Sequence, residues 1–326
     1  MIKTAIIGCG RIGFSLEEDP LRYKPCTHLG AVKKLSKKHN LKLISSCDID
    51  ITRAEYAIEF LGRKVAGEAA VTDDYRRVIK QSPELLIIAA STDAHYEILK
   101  QAFNAGIPKV IVEKPVAETK TQARKLLQAF ENAKSKVWVN YERRYADKYI
   151  SLRKDILKEK YGRVLSYRGF FSSAASRFFH NDKYEGVLLH DTTHLVDLVQ
   201  YLFGTITQSH HDHASENSHI LSFRHSECSG IIHTQANSKY FAFELEILFE
   251  KARIRIGNGF YSVEKSVKSR FYKGFQSLSE PVFTADKAVT VRNNPFVRLY
   301  QEVFSTETNS EMFEQACRNV LALATR

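Results

Sequence analysis

The chain has 326 residues, 44% hydrophobic and 26% charged, with a net charge of +11. That is too long for one small core and suits two domains of roughly 150 residues each, and the balance excludes a disordered or fibrous chain. Its longest purely apolar run, Leu85–Ala90, is six residues, far short of the roughly 20 a membrane span needs, so no membrane partner is expected.

The start, Met1-Ile2-Lys3-Thr4-Ala5-Ile6-Ile7, runs straight into a structural pattern, so no signal peptide is expected. Five scattered cysteines with no C-x-x-C pair argue against a disulfide framework or structural zinc and point to a reducing cytoplasm. The dense basic patch Lys33, Lys34, Lys37 and Lys38 falls along one side of a helix. No basic-aromatic module accompanies it, so it reads as a solvated face, with no nucleic-acid partner.

In chain order, the first 140 residues alternate strand and helix patterns. Strands are expected at Lys3–Ile7, Leu41–Cys47, Leu85–Ala90, Val110–Val112 and Val137–Asn140. Helical spacing begins near His28 and recurs at Ala54–Leu61, Tyr75–Lys80, His95–Ala105 and Thr121–Ala133. Unbroken apolar strands such as Leu85-Leu86-Ile87-Ile88 belong in a parallel sheet covered on both faces. Alternation then predicts right-handed crossovers and a doubly wound α/β domain over 1–140.

Beyond Tyr141 strand follows strand: Arg163–Phe171, Ile206–His213, His219–Phe223, Gly230–Thr234, Phe241–Phe249, Arg253–Ile256 and Phe260–Val263. In Phe241–Phe249 every second residue is apolar, the period of a sheet covered on one side. With helical patterns only at Leu189–Tyr201 and Glu311–Leu323, residues 141–326 read as an α+β domain with an open, mostly antiparallel sheet.

Three motifs carry chemistry. Gly8-Cys9-Gly10-Arg11-Ile12-Gly13 is a G-x-G-x-x-G directly after the first strand, suited to a pyrophosphate on a helix N-terminus. Asp48, ending the second strand, can accept hydrogen bonds from adenosine ribose hydroxyls and oppose a 2′-phosphate, favouring NAD over NADP. It lies thirty-five residues past Gly13 rather than the usual ~20. The surplus, Phe14–Thr27, reads as an insertion between the phosphate loop and its helix, either a flap over the ligands or a surface loop. Second, Val110-Ile111-Val112-Glu113-Lys114-Pro115 puts Lys114 at the carboxyl end of a parallel strand, where ligands bind. There it can stabilise a developing alkoxide, or be a surface lysine ahead of a helix.

Third, His190, His194 and Asp197 share one face of a predicted helix at i, i+4 and i+7. An acid/base histidine, a zinc site and a buried structural histidine are the readings open to it. No metal is expected. His210-His211-Asp212-His213 sends alternate side chains to opposite faces and reads as exposed polar strand.

Together these residues resemble the glucose-fructose oxidoreductase, inositol dehydrogenase and MocA (Gfo/Idh/MocA) family over nearly the whole chain. Gly8–Gly13 resembles its cofactor loop, Ser91-Thr92-Asp93-Ala94-His95 its turn after the fourth strand, and Glu113-Lys114-Pro115 its E-K-P motif. Asn140–Tyr145 and Tyr161–Val164 resemble its domain junction, and Gly186–Asp197 its G-x-x-x-D-x-x-x-H-x-x-D segment. One position departs: His190 stands where the family has an acid four residues before the histidine matched by His194, and Asp191 is expected roughly 100° away on a helix.

The resemblance implies a Rossmann domain binding NAD through Gly8, Gly10, Arg11, Ile12, Gly13, Asp48, Ser91, Thr92, His95, Glu113 and Lys114. It implies a second domain for substrate and oligomerisation, forming dimers or tetramers through its open sheet. The implied reaction moves a hydride between nicotinamide and a hydroxyl-bearing carbon of a sugar, cyclitol or nucleotide-sugar. Lys114, Arg144, Asp191 and His194 would contact substrate, with Lys114, His194 and His190 catalytic. The alternative is a dinucleotide-binding sensor with little turnover, which the His190 departure favours.

Overall fold

A computed structural model describes residues 1–173, 187–215, 217–285, 288–305 and 311–324. The chain divides into two compact units, Met1–Ala146 with Val289–Leu321, and Asp147–Ala288 with a few residues near the C-terminus.

The first unit runs β1 (Ile2–Ile7), α1 (His28–His39), β2 (Leu41–Cys47), α2 (Ile51–Leu61), α3 (Arg63–Ala66), β3 (Ala70–Thr72), α4 (Tyr75–Lys80), β4 (Leu85–Ile88), α5 (Thr92–Asn104), β5 (Lys109–Val112), α6 (Lys120–Glu131) and β6 (Lys136–Val139). Its strands pair in parallel in the order β3-β2-β1-β4-β5-β6. The order reverses direction beside β1, so a crevice opens at the carboxyl ends of β1 and β4. All four residues of β4 are fully buried, as its unbroken apolar run requires.

The second unit runs α7 (Asp147–Leu157), β7 (Val164–Ser172), α8 (Thr193–Phe203), β8 (Gln208–Ser215), β9 (Ser218–Arg224), β10 (Ser229–Gln235), β11 (Ala242–Phe249), β12 (Ala252–Gly257), β13 (Phe260–Lys268), β14 (Gln276–Leu278) and β15 (Val282–Thr284). The sheet order is β14-β13-β12-β11-β7-β10-β9-β8, with β15 also on β13. Its pairs are antiparallel except β10 with β7. In β11, Phe243, Leu245, Ile247 and Phe249 are buried while Glu244 is exposed, the expected period of two.

The C-terminal helices α9 (Pro295–Val303) and α10 (Glu311–Leu323) depart from the expected boundary after residue 140. The contacts place residues 289–321 with the parallel sheet. Met312, Phe313, Ala316, Cys317 and Val320 are buried along one face of α10. Phe313 lies 5.6 Å from the Phe103 ring and 4.7 Å from that of Phe130, and the edge-strand amide of Val139 donates to Met312 Sδ. Helix α10 thus covers an edge that would otherwise present unpaired backbone groups. Periodicity reveals which face of a helix is apolar, and not which surface receives it.

Candidate functional site

The glycine loop fits its role position by position. Gly8 has φ +94°, and a Cβ there would fall 2.3 Å from the Ala89 carbonyl carbon. A Cβ at Gly13 would fall 2.3 Å from Gly8 O. Both are glycine because the backbone leaves no room. At Gly10 the nearest atom to such a Cβ is Arg53 Nη1 at 3.9 Å, so the middle glycine borders open space rather than protein. That is the cradle a pyrophosphate needs.

Residue Cys9 sends its amide to Asp48 Oδ2 (2.7 Å), and Asp50 sends its own to Asp48 Oδ1 (3.0 Å). A carboxylate offers about four acceptor sites, so these two bonds orient Asp48 and leave capacity for two hydroxyls. Burial pushes the Cys9 thiol up to about 12, which keeps it protonated and unreactive inside the loop.

The insertion ends at Thr27, the N-cap of α1, and so lies between the phosphate loop and its helix, as expected. Phe14 N bonds Gly10 O at 2.8 Å, then His28 N bonds Ile12 O at 3.1 Å and Leu29 N bonds Gly13 O at 3.0 Å. The helical ladder therefore continues across a looped-out segment. Glu17 Oε2 ties that segment off, accepting from Cys26 N (2.9 Å) and Thr27 Oγ1 (2.8 Å). Its carboxylate fills the space where Gly30 lacks a side chain. Asn294, the N-cap of α9, donates to Pro25 O at 2.8 Å.

Around the E-K-P turn, Ser91 caps α5 and is exposed, and Thr92 is half-buried, both at the carboxyl end of β4. His95, expected to touch cofactor, is buried, with Nδ1 2.7 Å from Pro115 O and Nε2 3.0 Å from Ala90 O. It braces the β4–α5 turn against the E-K-P turn; burial holds its pKa below the ordinary value, against the pull of the two carbonyls.

Glu113 is 6% exposed, and its Oε1 accepts from Asn140 Nδ2 (2.5 Å) and lies 3.0 Å from His28 Nε2. Asn140 Oδ1 is buried and has no donor among the described residues. Lys114 is half-buried. Arg144, expected to touch substrate, is 3% exposed and donates through Nη2 to Gln315 Oε1 at 2.7 Å, anchoring α10. Arg11 is exposed and Ile12 half-buried.

In the second unit, Leu188–Thr192 forms a π-helical turn leading into α8. Asp191 nonetheless reaches its neighbour: its Oδ1 lies 2.8 Å from His190 Nδ1, and its Oδ2 accepts from Ser173 Oγ at 3.1 Å. The regular 100° step does not apply across a π-turn, where hydrogen bonds span five residues. His194 is half-buried one turn on and Asp197 is buried. Thr192 Oγ1 lies 3.0 Å from Thr234 Oγ1, tying the turn to β10. Gly186 and the side chain of His213 lie outside the described residues.

The run His210–His213 is strand, with His210 and Asp212 exposed and His211 Nε2 3.2 Å from His219 Nδ1. Among the described residues, no group of three His, Cys, Asp or Glu is placed to hold a metal. Sequence reasoning missed His28 and Tyr300, whose Nδ1 and hydroxyl are 3.0 Å apart, because 272 positions separate them.

Residues 2–141 match a family model described as an oxidoreductase family with an NAD-binding Rossmann fold. Inositol 2-dehydrogenase of Salmonella typhimurium is 30% identical over 177 residues, covering 54% of this chain and 47% of that protein. The chain thus spans about half the length of such a relative. Among solved structures, a dehydrogenase from Chromobacterium violaceum aligns with a TM-score of 0.77 at 15% identity, over 99% of this chain and 93% of the other. A levoglucosan dehydrogenase in complex with NADH and L-sorbose aligns at 0.73 and 15%, over 98% and 96%. At such identities the likeness is one of fold.

Proposed function

We propose that the chain, whose residues 2–141 match the family model of NAD-binding oxidoreductases, is a Gfo/Idh/MocA-type NAD-dependent dehydrogenase of sugar or cyclitol hydroxyls, nucleotide-sugars included. One observation carries this reading: the glycine loop, Asp48 and the Glu113-Lys114-Pro115 turn all stand at carboxyl ends of strands in one 3-2-1-4-5-6 parallel sheet. The open space at Gly10 and the spare acceptor capacity of Asp48 fit a dinucleotide. NAD, when bound, supplies the nicotinamide that exchanges a hydride with the reacting carbon.

In this reading Lys114 holds the substrate oxygen and offsets its developing negative charge. His194 takes the hydroxyl proton in oxidation and returns it in reduction. His190, with Asp191 against its Nδ1, serves as proton relay behind His194. That carboxylate supports the catalytic reading over the sensor, whose motive was an acid missing from this segment.

Asp48 supports NAD over NADP: its carboxylate meets the ribose edge, and the nearby cation Arg53 is already paired with Asp50 at 3.3 Å. A homodimer or homotetramer is supported by the exposed Phe271 (86%), Tyr272, Phe275, Val282 and Phe283 on the β13–β15 arm. The five cysteines, free and buried, support a reducing, cytoplasmic setting. No helix among the described residues is long and apolar enough to cross a membrane.

The test is the near-ultraviolet absorbance of the reduced nicotinamide across a panel of sugars, cyclitols and nucleotide-sugars, with NAD and NADP in parallel. Turnover with a panel member is expected, and NADH should bind more tightly than NADPH in fluorescence titrations. Tight dinucleotide binding with no turnover on any member would favour the sensor, and tighter NADPH binding would reverse the role given to Asp48.

A further inference from the structure

Four buried polar side chains from distant parts of the sequence meet one residue before Lys114. Glu113 follows β5, Asn140 follows β6, His28 opens α1 and Tyr300 lies on α9. Glu113 Oε1 takes Asn140 Nδ2 at 2.5 Å and His28 Nε2 at 3.0 Å, while His28 Nδ1 meets the Tyr300 hydroxyl at 3.0 Å. Such a cluster is a costly way to fill a core, where apolar side chains of similar volume are often no less stable. Its position at the E-K-P turn suggests a different use.

We propose that His28, Glu113 and Tyr300 are positioning residues for Lys114. The Glu113 carboxylate, pinned by His28 and Asn140, fixes the Glu113-Lys114-Pro115 turn and sets an acidic group one residue before Lys114. The looped-out segment 14–27 gains a purpose in this arrangement, because it ends by delivering His28 to Glu113. The proposal rests on the dehydrogenase reading only for what Lys114 does to substrate.

Electrostatics support the geometry. Burial alone would raise the Glu113 carboxyl, yet hydrogen bonding and charge from His28, then Asn140, then Lys114 bring it below its ordinary value. The other titratable groups that feel it are His95 of α5 and Tyr300 of α9.

The experiment is competitive labelling of Lys114 by acetic anhydride across pH, read by mass spectrometry on the full chain without cofactor or substrate. Glu113→Gln should lower the labelling midpoint by about one pH unit, and Glu113→Asp, which keeps the charge, should restore most of that. Turnover of Glu113→Gln should fall about 10- to 100-fold. In His28→Gln, which keeps a donor for Glu113 and adds no charge, the midpoint should stay at or above the parental value. An unchanged midpoint in folded Glu113→Gln overturns the proposal. So does a lowered midpoint in His28→Gln, even where Glu113→Gln does not fold. If the labelling shifts appear but the parental protein turns over no panel member, the positioning stands and the dehydrogenase reading falls.

Discussion

In the parallel unit the chemistry-bearing residues stand at strand ends, among side chains that are fully buried and hydrogen-bonded in pairs. Asp48, His95, Glu113 and Arg144 each have a named protein partner, and the space left open lies at Gly10. In the antiparallel unit they stand on an irregular helical turn and the helix that follows it, with His190 and Asp191 partly exposed and their side chains 2.8 Å apart. A rigid crevice made mostly of backbone suits a cofactor common to many relatives. A local turn with partly exposed side chains is easier to vary.

Removing the two groups proposed to act on the substrate should produce the largest effect. Lys114→Ala and His194→Ala should each lower turnover by 10²–10⁴-fold, about 3–5 kcal/mol of barrier, with NADH affinity largely intact. Kinetics beside thermal melts check this. A folded His194→Ala protein with near-parental turnover would remove the histidine from the mechanism and leave Lys114 alone.

The glycine loop separates packing from binding. Gly8→Ala must drive a methyl into the Ala89 backbone at positive φ, and should cost about 3 kcal/mol or more. Gly10→Ala meets nothing closer than Arg53 Nη1 at 3.9 Å; its stability should change by less than about 1 kcal/mol, while NADH affinity falls. Urea unfolding and fluorescence titration distinguish the two. Equal destabilisation would mean that Gly10, too, is spent on packing.

The loop was legible in the sequence because its constraint is local: a strand, a sharp turn and a helix within a few residues. Asp48 and Lys114 were legible for the same reason, since strand ends fix where their side chains emerge. His28 was not, because its partners come from α9 and from the residue after β5. The π-turn at Leu188–Thr192 was invisible to a 3.6-residue period, and with it the pairing of Asp191 with His190. The α+β texture of the second half was legible, but the address of α10 depended on Phe103 and Phe130, 210 and 183 positions before Phe313.

Acid stability should show what the two units share. Burial holds His95 in one and His225 in the other below the ordinary 6.5. A buried neutral histidine contributes stability that is fully present above the unfolded pKa and is lost as pH falls from there toward the folded value, because the unfolded chain takes up the proton first. Urea midpoints measured from pH 7 downward should therefore fall, and His95→Gln or His225→Gln should each flatten part of the slope. A slope unchanged in both variants would place the titration elsewhere.

The smallest expected effect tests whether His190 and Asp191 act as one unit. Their side chains are 28% and 21% exposed, and such a pair contributes roughly 0–1 kcal/mol to stability, so Asp191→Asn should leave the melting temperature nearly unchanged. Its effect belongs in turnover. If Asp191 acts by holding His190 behind His194, then Asp191→Asn and His190→Ala should each slow the reaction several-fold, less than Lys114→Ala, and the double variant should be little slower than either single. A double-mutant cycle reads this directly, because residues in one hydrogen-bonded network give a coupling of about 0.5–3 kcal/mol. Additive losses would mean two independent contributions, and His190→Asp would sharpen that outcome. It puts an acid at the position four residues before His194, so retained turnover there would show that a carboxylate at this position can do the work of His190 with Asp191.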